Sequence, residues 1–308
     1  MTIPIVVAFT PSYFVPAAVM LHSILGSTIC KETVYEVYCL VTEDIPERQK
    51  TKLEEMAGGK MSFIYVNLRG RMDGLYVDPK YSEAASYRLL LPELFPELDK
   101  VLYVDCDVVV KQDVAVLFNK TDLTDSLLAA VFEAPIEKQA ERWEALGCDS
   151  HQYFNSGVLL MNLAQMRIEG TSVKLMKVLD TDYLEFPDQD ALNIVCKGRV
   201  RSLSPVYNGI RTFFLPQYKG EFVSQYSEEL WQEVQSRGSI HYTGGKPWNI
   251  LTVKFEEWWE EYKKLTAGIK KEWNPSLRVR VLSKIYSFAP MRSLIESVRN
   301  FRRLCMHI

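Results

Sequence analysis

From its third residue the chain alternates short apolar runs with helical patterns, and this alternation constrains the fold more than any other feature. Residues Ile3 to Phe9 read as a strand, and a helix around Val15 to Leu25 follows, ending near Gly26. Tyr35 to Val41 reads as a second strand, after which a helix opens near Ile45-Pro46 and stops at Gly58-Gly59. Ser62 to Asn67 makes a third strand, and Glu83 to Leu94 reads as a helix leading into the apolar run Tyr103 to Val110. Further strands are expected at Leu127 to Phe132 and Val158 to Asn162, separated by a polar helical stretch around Ile136 to Leu146. Strand and helix in turn predict an α/β fold with a mostly parallel sheet and helices on both faces. Ligands of such sheets collect at the carboxyl ends of the strands, where Thr10 and Asp105 would both lie.

The run from Tyr103 to Val110 carries two carboxylates, Asp105 and Asp107, on either side of Cys106. The run reads as one strand, whose period of two sends both carboxylates out of the same face. Two like charges flanked by Val and Tyr resist burial unless a cation sits between them. Oxygen ligands of this kind suit Mn²⁺ or Mg²⁺, which keep open positions for substrate phosphates. An isolated Asp-x-Asp is common by chance and also fits a strand end turning to solvent. A second segment strengthens the metal reading: His241-Tyr242-Thr243-Gly244-Gly245-Lys246-Pro247-Trp248. A neutral imidazole is a competent ligand for Mn²⁺. The glycines let backbone N–H groups approach an anion, and Lys246 offers a point charge to a phosphate.

Composition excludes several classes. Apolar residues make up 47% of the 308, which is enough for a packed core and argues against disorder. A net charge of −3 carries no basic excess for nucleic acid. No stretch approaches the roughly twenty apolar residues of a membrane span, and Met1 to Val7 reads as a first strand and not as a signal peptide. The six cysteines show no Cys-x-x-Cys spacing and several lie in apolar runs, as reduced thiols of a cytoplasmic protein do. After Trp273-Asn274-Pro275 the composition shifts, dividing a main domain (1–274) from an extension (275–308). Residues 276–308 hold seven basic residues (Arg278, Arg280, Lys284, Arg292, Arg299, Arg302, Arg303) and one acid, Glu296. Interleaved apolar residues make two short amphipathic helices around Ala289-Pro290. The pattern suits an anionic membrane surface; the alternative is a helix packed on the domain with a solvated basic face. Trp258, Trp259 and Tyr262 share a helical spacing and either frame a groove or pack internally.

Five ordered segments together carry a family resemblance. They are Ser86 to Leu94, Leu102 to Val110, Tyr153 to Leu163, Phe186 to Asn193 and His241 to Trp248. In sequence and order they resemble the family 8 glycosyltransferases, over about residues 3 to 265. The resemblance implies a GT-A nucleotide-sugar fold, a UDP-sugar donor, Mn²⁺ (with Mg²⁺ as the alternative) and transfer of a hexose with retention. It is similar in these segments to bacterial lipopolysaccharide galactosyl- and glucosyltransferases. The acceptor implied is a saccharide, lipid- or polymer-linked, at the inner face of a bacterial membrane.

Carried over by position, Asp105, Asp107 and His241 would hold the metal, with Cys106 between the carboxylates at the nucleotide. Lys246 with Gly244 would bind the diphosphate and stabilise the charge growing on the leaving UDP. Ala8 and Thr10 would lie beside the nucleotide, Tyr13 would stack on uracil, and Arg88 would reach the donor phosphate or sugar. Asn155, Ser156, Asp188 and Gln189 would line the sugar pocket, Gln189 near the anomeric carbon. An amide does not serve as a double-displacement nucleophile, so a front-face mechanism is expected, with Asp188 orienting donor hydroxyls. Two positions depart from the family pattern: Thr10-Pro11-Ser12 replaces an Asp that reads uracil, and Glu133 replaces an Asp near the sugar.

Two rival readings remain at this level. A haloacid-dehalogenase phosphatase also begins from hydrophobic-Asp-x-Asp, but places it near the chain start and follows it with other motifs. A nucleotide- or glycan-binding protein with a decayed site would be expected to lack one of Asp105, Asp107, His241 and Lys246, and all four are present.

Overall fold

The computed structural model describes residues 2–72, 82–181, 184–295 and 297. Among these, nine strands occur: β1 (Thr2–Phe9), β2 (Val34–Val41), β3 (Met61–Asn67), β4 (Lys100–Val104), β5 (Val108–Val109), β6 (Leu128–Ala130), β7 (Val158–Asn162), β8 (Val200–Ser202) and β9 (Ile240–His241). Seven form one sheet in the order β3-β2-β1-β4-β7-β6-β8, while β5 and β9 make a separate ladder. The sheet is parallel except that β7 runs antiparallel to both β4 and β6. The α/β class with a mostly parallel sheet is therefore as the alternation predicted.

The uninterrupted apolar character of β1 follows from burial on both faces. Ile3, Ile5, Val7 and Phe9 join one core with Ala17, Met20, Leu21 and Ile24 of the Phe14–Ser27 helix. Val6 and Ala8 alternate into a second core with Leu89, Leu91, Leu175 and Leu192. The parallel strands β1, β2, β3 and β4 put their carboxyl ends on one edge of the sheet.

Two expected elements are interrupted. The run Tyr103 to Val110 is not one strand: β4 ends at Val104, and a turn with the Val108 N–H on the Asp105 carbonyl (3.2 Å) leads into β5. The chain has to leave the sheet there because β5 pairs with β9 and not with a sheet strand. The two carboxylates thus share a side through a turn and not through strand pleat. The expected helix from Glu83 to Leu94 consists of α-helical turns Glu83–Ser86 and Leu91–Leu94 around a 3-10 turn, Tyr87–Leu90. Pro92 explains the break: it has no N–H for the Arg88 carbonyl, and its ring crowds that position in a continuous α-helix.

In the C-terminal extension, Leu277–Tyr286 is helical and helical backbone resumes at 289. Val279 and Tyr286 are buried, Tyr286 edge-on to Phe255 at 5.2 Å. This helix is docked on the Phe255–Lys264 helix. Arg299, Arg302 and Arg303 lie outside the described residues. Trp258 and Trp259 are buried and pack against Tyr262, Trp273 and each other, so this cluster is internal packing.

Candidate active site

Backbone pairing gathers the site from five distant segments. The β5–β9 ladder sets Val108 opposite His241, and the Tyr242 N–H reaches the Asp107 carbonyl at 3.1 Å. On the other side of β4, the Asp105 N–H bonds the Gly157 carbonyl at 2.8 Å, extending the β4–β7 pairing to Asn155 and Ser156. A bridge between Phe132 and Phe154 then brings Glu133 alongside. The Pro187–Val195 helix docks through Asn193, which accepts from the Phe154 N–H (2.8 Å) and donates to its carbonyl (2.9 Å). Its first turn thereby presents Asp188, Gln189 and Asp190 to the same place.

His241 Nε2 lies 3.3 Å from Asp107 Oδ1 and 3.8 Å from Asp105 Oδ2. One ligand atom from each of the three residues falls within 4.8 Å of the others. The two carboxylates repel each other, and in this structure Lys246 faces Asp107 and Arg88 faces Asp105. The donor set, two hard oxygens and a borderline nitrogen, fits a divalent ion of the Mn²⁺ type. Lys246 Nζ donates to the Asp107 carboxylate and to the Tyr242 carbonyl (2.9 Å). Burial alone would raise the Asp107 pKa, but Lys246 and His241 outweigh it and hold the carboxyl well below its usual range. Burial likewise opposes the Lys246 charge, and Asp107 overrides it to raise the ammonium pKa. Gly244 sits at φ +88, a backbone conformation that a side chain would strain.

Arg88 is 3% exposed and fully engaged by protein. It donates to Asp105 Oδ1 (2.7 Å), Ser156 Oγ (3.1 Å), the Ser156 carbonyl and the Ala85 carbonyl (2.8 Å), and its Nε lies 3.2 Å from Asp188 Oδ2. Burial disfavours its charge, yet Asp105, Tyr103 and Asp188 outweigh that. Burial raises Asp188, with Arg88 opposing. Gln189 Oε1 accepts from the Ser156 N–H (3.1 Å) and Asn155 Nδ2 (3.0 Å), while its Nε2 donates to Glu133 Oε1 (3.1 Å) and the Tyr153 hydroxyl (3.2 Å). Burial pushes Glu133 above the ordinary carboxylate range despite these bonds.

The β1 end supplies the other side. The Cys106 thiol donates to the Ala8 carbonyl at 3.2 Å, and burial raises its pKa, which keeps it an unreactive thiol. Thr10 Oγ1 and Ser12 Oγ pair at 2.8 Å on the surface. Tyr13 stands edge-on to Trp248 at 5.6 Å, its phenol raised by burial, with Lys246 opposing. The geometry thus brings together Asp105, Asp107, His241 and Lys246, and beside them Arg88, Asn155, Ser156, Asp188, Gln189 and Glu133.

Several contributors escaped sequence reasoning. Asp190, wholly buried, accepts from Arg142 through both Nη atoms (3.0 Å each), from Tyr153 and from the Glu185 and Phe186 N–H groups (3.0 Å each). Through Tyr153, which stacks on Trp143 at 4.3 Å, this cluster reaches Gln189. Asn208, also wholly buried, contacts both Asn155 and His241. Its sequence signal is only Asn208-Gly209, a turn dipeptide that carries no hint of catalysis.

Known proteins resemble this chain in sequence and fold. The lipopolysaccharide 1,2-glucosyltransferase of Escherichia coli K12 is 34% identical over 183 residues, 56% of this chain and 51% of that protein. General stress protein A of Bacillus subtilis is 28% identical over 179 residues, 56% of this chain and 61% of that protein. The chain's matches thus span about half to three fifths of these relatives' length. Among solved structures, the galactosyltransferase LgtC with donor and acceptor sugar analogs superposes with a TM-score of 0.68. It is 25% identical, over 88% of this chain and all of that one. The bifunctional glycosyltransferase WbbM gives 0.73 at 23% identity, over 88% of this chain and 51% of that one, a likeness of fold. The sequence profile described as "Glycosyl transferase family 8" matches residues 4–252, which include every site segment above. The chain belongs to glycosyl transferase family 8.

Proposed function

We propose that the protein is a Mn²⁺-dependent, retaining hexosyltransferase that moves galactose or glucose from a UDP-sugar to a saccharide acceptor. The observation that carries the reading is the convergence of Asp105, Asp107 and His241 on one point beside Lys246, with Gln189 linked to His241 through Asn155. A divalent ion held there would neutralise the diphosphate of the departing UDP. Lys246, already close to Asp107, would meet the growing negative charge, and Gly244 would let backbone approach the phosphates. Arg88 serves as a positioning group, because its donors are occupied by Asp105, Asp188 and Ser156.

A front-face course is supported by the state of the nearby oxygens. Gln189 Oε1 is an amide oxygen bonded to the Ser156 N–H, Asp188 is paired with Arg88, and Asp190 is enclosed by five donors. In that course the C1–O bond to UDP breaks as the acceptor oxygen bonds C1 on the same face. The acceptor proton passes to the departing phosphate oxygen. Ala8, Thr10 and Tyr13 would receive the nucleoside, and Glu133 with Asn155 would read the sugar.

The extension supports peripheral contact with an anionic membrane at its inner face. Leu277, Val281, Phe288 and Leu294 are exposed beside exposed Arg278, Arg280 and Lys284. Among the described residues no helix is long and apolar enough to cross a membrane. Removing residues 276–308 would strip Val279 and Tyr286 from the core, so charge reversal is the cleaner test. Arg278→Glu with Lys284→Glu should weaken binding to phosphatidylglycerol vesicles and spare donor turnover; equal binding would make the helix merely structural.

The enzyme itself is tested by donor hydrolysis across UDP-, GDP- and dTDP-sugars with Mn²⁺ or EDTA. Release of UDP from one sugar, lost with EDTA, is the expected result. Silence throughout, with no donor stabilising the fold, would favour a binding protein.

A further inference from the structure

We propose that Asn208 is a positioning residue that, with Asn155, locks His241 in the Nδ1–H tautomer, so that its Nε2 lone pair is presented to Asp105 and Asp107. Two backbone donors determine which way each amide points. The Gly157 N–H donates to Asn155 Oδ1 at 3.0 Å, and the Ser156 N–H to Gln189 Oε1 at 3.1 Å. With its oxygen fixed, Asn155 must aim Nδ2 at acceptors, and it meets Gln189 Oε1 at 3.0 Å and Glu133 Oε1 at 3.3 Å. Asn208 Nδ2 then faces Asn155 Oδ1 at 2.9 Å, since a reversed amide would set two oxygens together.

Asn208 Oδ1 is thereby left facing His241 Nδ1 at 3.0 Å, and Asn155 Oδ1 lies the same 3.0 Å from that nitrogen. Neither oxygen can donate, so Nδ1 must carry the hydrogen. A neutral ring then has its lone pair on Nε2, the atom that faces the carboxylates. The ordinary preference of histidine in water is the opposite tautomer, so the protein overrides it. Ligating histidines are commonly oriented by a hydrogen bond at the other nitrogen, and loss of that partner weakens metal affinity about 10–100-fold. Asn208 is delivered by the backbone of its neighbour: the His241 N–H bonds the Gly209 carbonyl at 2.8 Å. The polarity also runs onward, because the same Asn155 amide anchors Gln189, tying the metal-facing ring to the sugar-facing glutamine.

The inference concerns the metal site of the proposed function, but the tautomer can be read without metal or turnover. Protein labelled with ¹⁵N-histidine is examined metal-free by long-range ¹H–¹⁵N correlation. One ring, identified by its loss in His241→Gln, should show a protonated Nδ1. A ring with no hydrogen on Nδ1 overturns the proposal without any change at Asn208. In Asn208→Leu the same ring should move toward mixed tautomers, and Mn²⁺ should bind at least about tenfold more weakly. An unchanged spectrum with unchanged Mn²⁺ affinity in Asn208→Leu overturns it too. An Nδ1–H ring in a wild-type protein that binds no Mn²⁺ would support the tautomer assignment and refute the metal reading alone.

Discussion

Gly157→Ala introduces a single methyl group where the structure has no room for one. A Cβ at this position would lie 2.2 Å from His241 Cε1 and 2.5 Å from Nδ1. Ordinary contact begins at 3.4 Å, so the ring must withdraw by 1.2 Å (3.4 − 2.2) or the β7 entry must move. The ring cannot yield freely, because the His241 backbone is paired with both Val108 and Gly209. A displacement of that size takes Nδ1 out of hydrogen-bond reach of Asn155 and Asn208, now at 3.0 Å. Overpacking of this kind costs about 1–3 kcal/mol of stability, and loss of the ring's orientation should weaken Mn²⁺ binding by at least about tenfold. Urea unfolding and a calorimetric Mn²⁺ titration with UDP read the two effects separately. Gly220→Ala is the control: it is exposed, helical and meets nothing within 4 Å. Wild-type Mn²⁺ affinity in Gly157→Ala, with a folded protein, would refute the argument that the ring's position depends on the missing side chain.

Other perturbations address the remaining parts of the site. Asp107→Ala should abolish divalent-ion-dependent UDP binding; unchanged binding in a calorimeter removes Asp107 from the metal's ligands. Asp190→Asn should destabilise on the order of 3 kcal/mol, because Arg142 loses its buried carboxylate partner; a change in urea stability below about 1 kcal/mol would show that Arg142 relaxes into solvent. The Lys246–Asp107 pair predicts a pH dependence. The depressed Asp107 pKa contributes stability that is present above about pH 4, the unfolded carboxylate value, and is lost as pH falls further. The raised Lys246 pKa contributes stability that is present below about pH 10 and is lost as pH rises through the folded value. In Lys246→Met the destabilisation relative to wild type should therefore be greatest near neutrality and shrink toward pH 3. A difference that stays constant from pH 7 to 3 would mean that the pair does not stabilise the fold.

The legible parts of the sequence were those governed by near neighbours in the chain. Short apolar runs placed β1, β2, β3 and β7 within a residue or so, because a strand buried on both faces leaves a continuous apolar stretch in the local sequence. The run through Asp105 and Asp107 was read as one strand because its hydrophobicity is continuous; its turn is imposed by β9, which lies far along the chain. The split at Tyr87–Leu90 was in principle readable from Pro92. The inward face of the Leu277–Tyr286 helix was not, since an amphipathic pattern says that one face is apolar without saying what covers it.

The sequence by itself determined the α/β class, the residue types able to hold a metal and a diphosphate, and their order along the chain. Only the tertiary structure decided that Lys246 reaches Asp107 across 139 residues and that Arg88 is occupied by the carboxylates beside it. It also decided that Asn208, unremarkable in sequence, faces the ring of His241, and that Gly157 is glycine because that ring passes over it. Periodicity and motif chemistry are written in neighbouring residues, whereas these contacts arise from strand pairing between remote segments, whose register is fixed by packing of the whole domain.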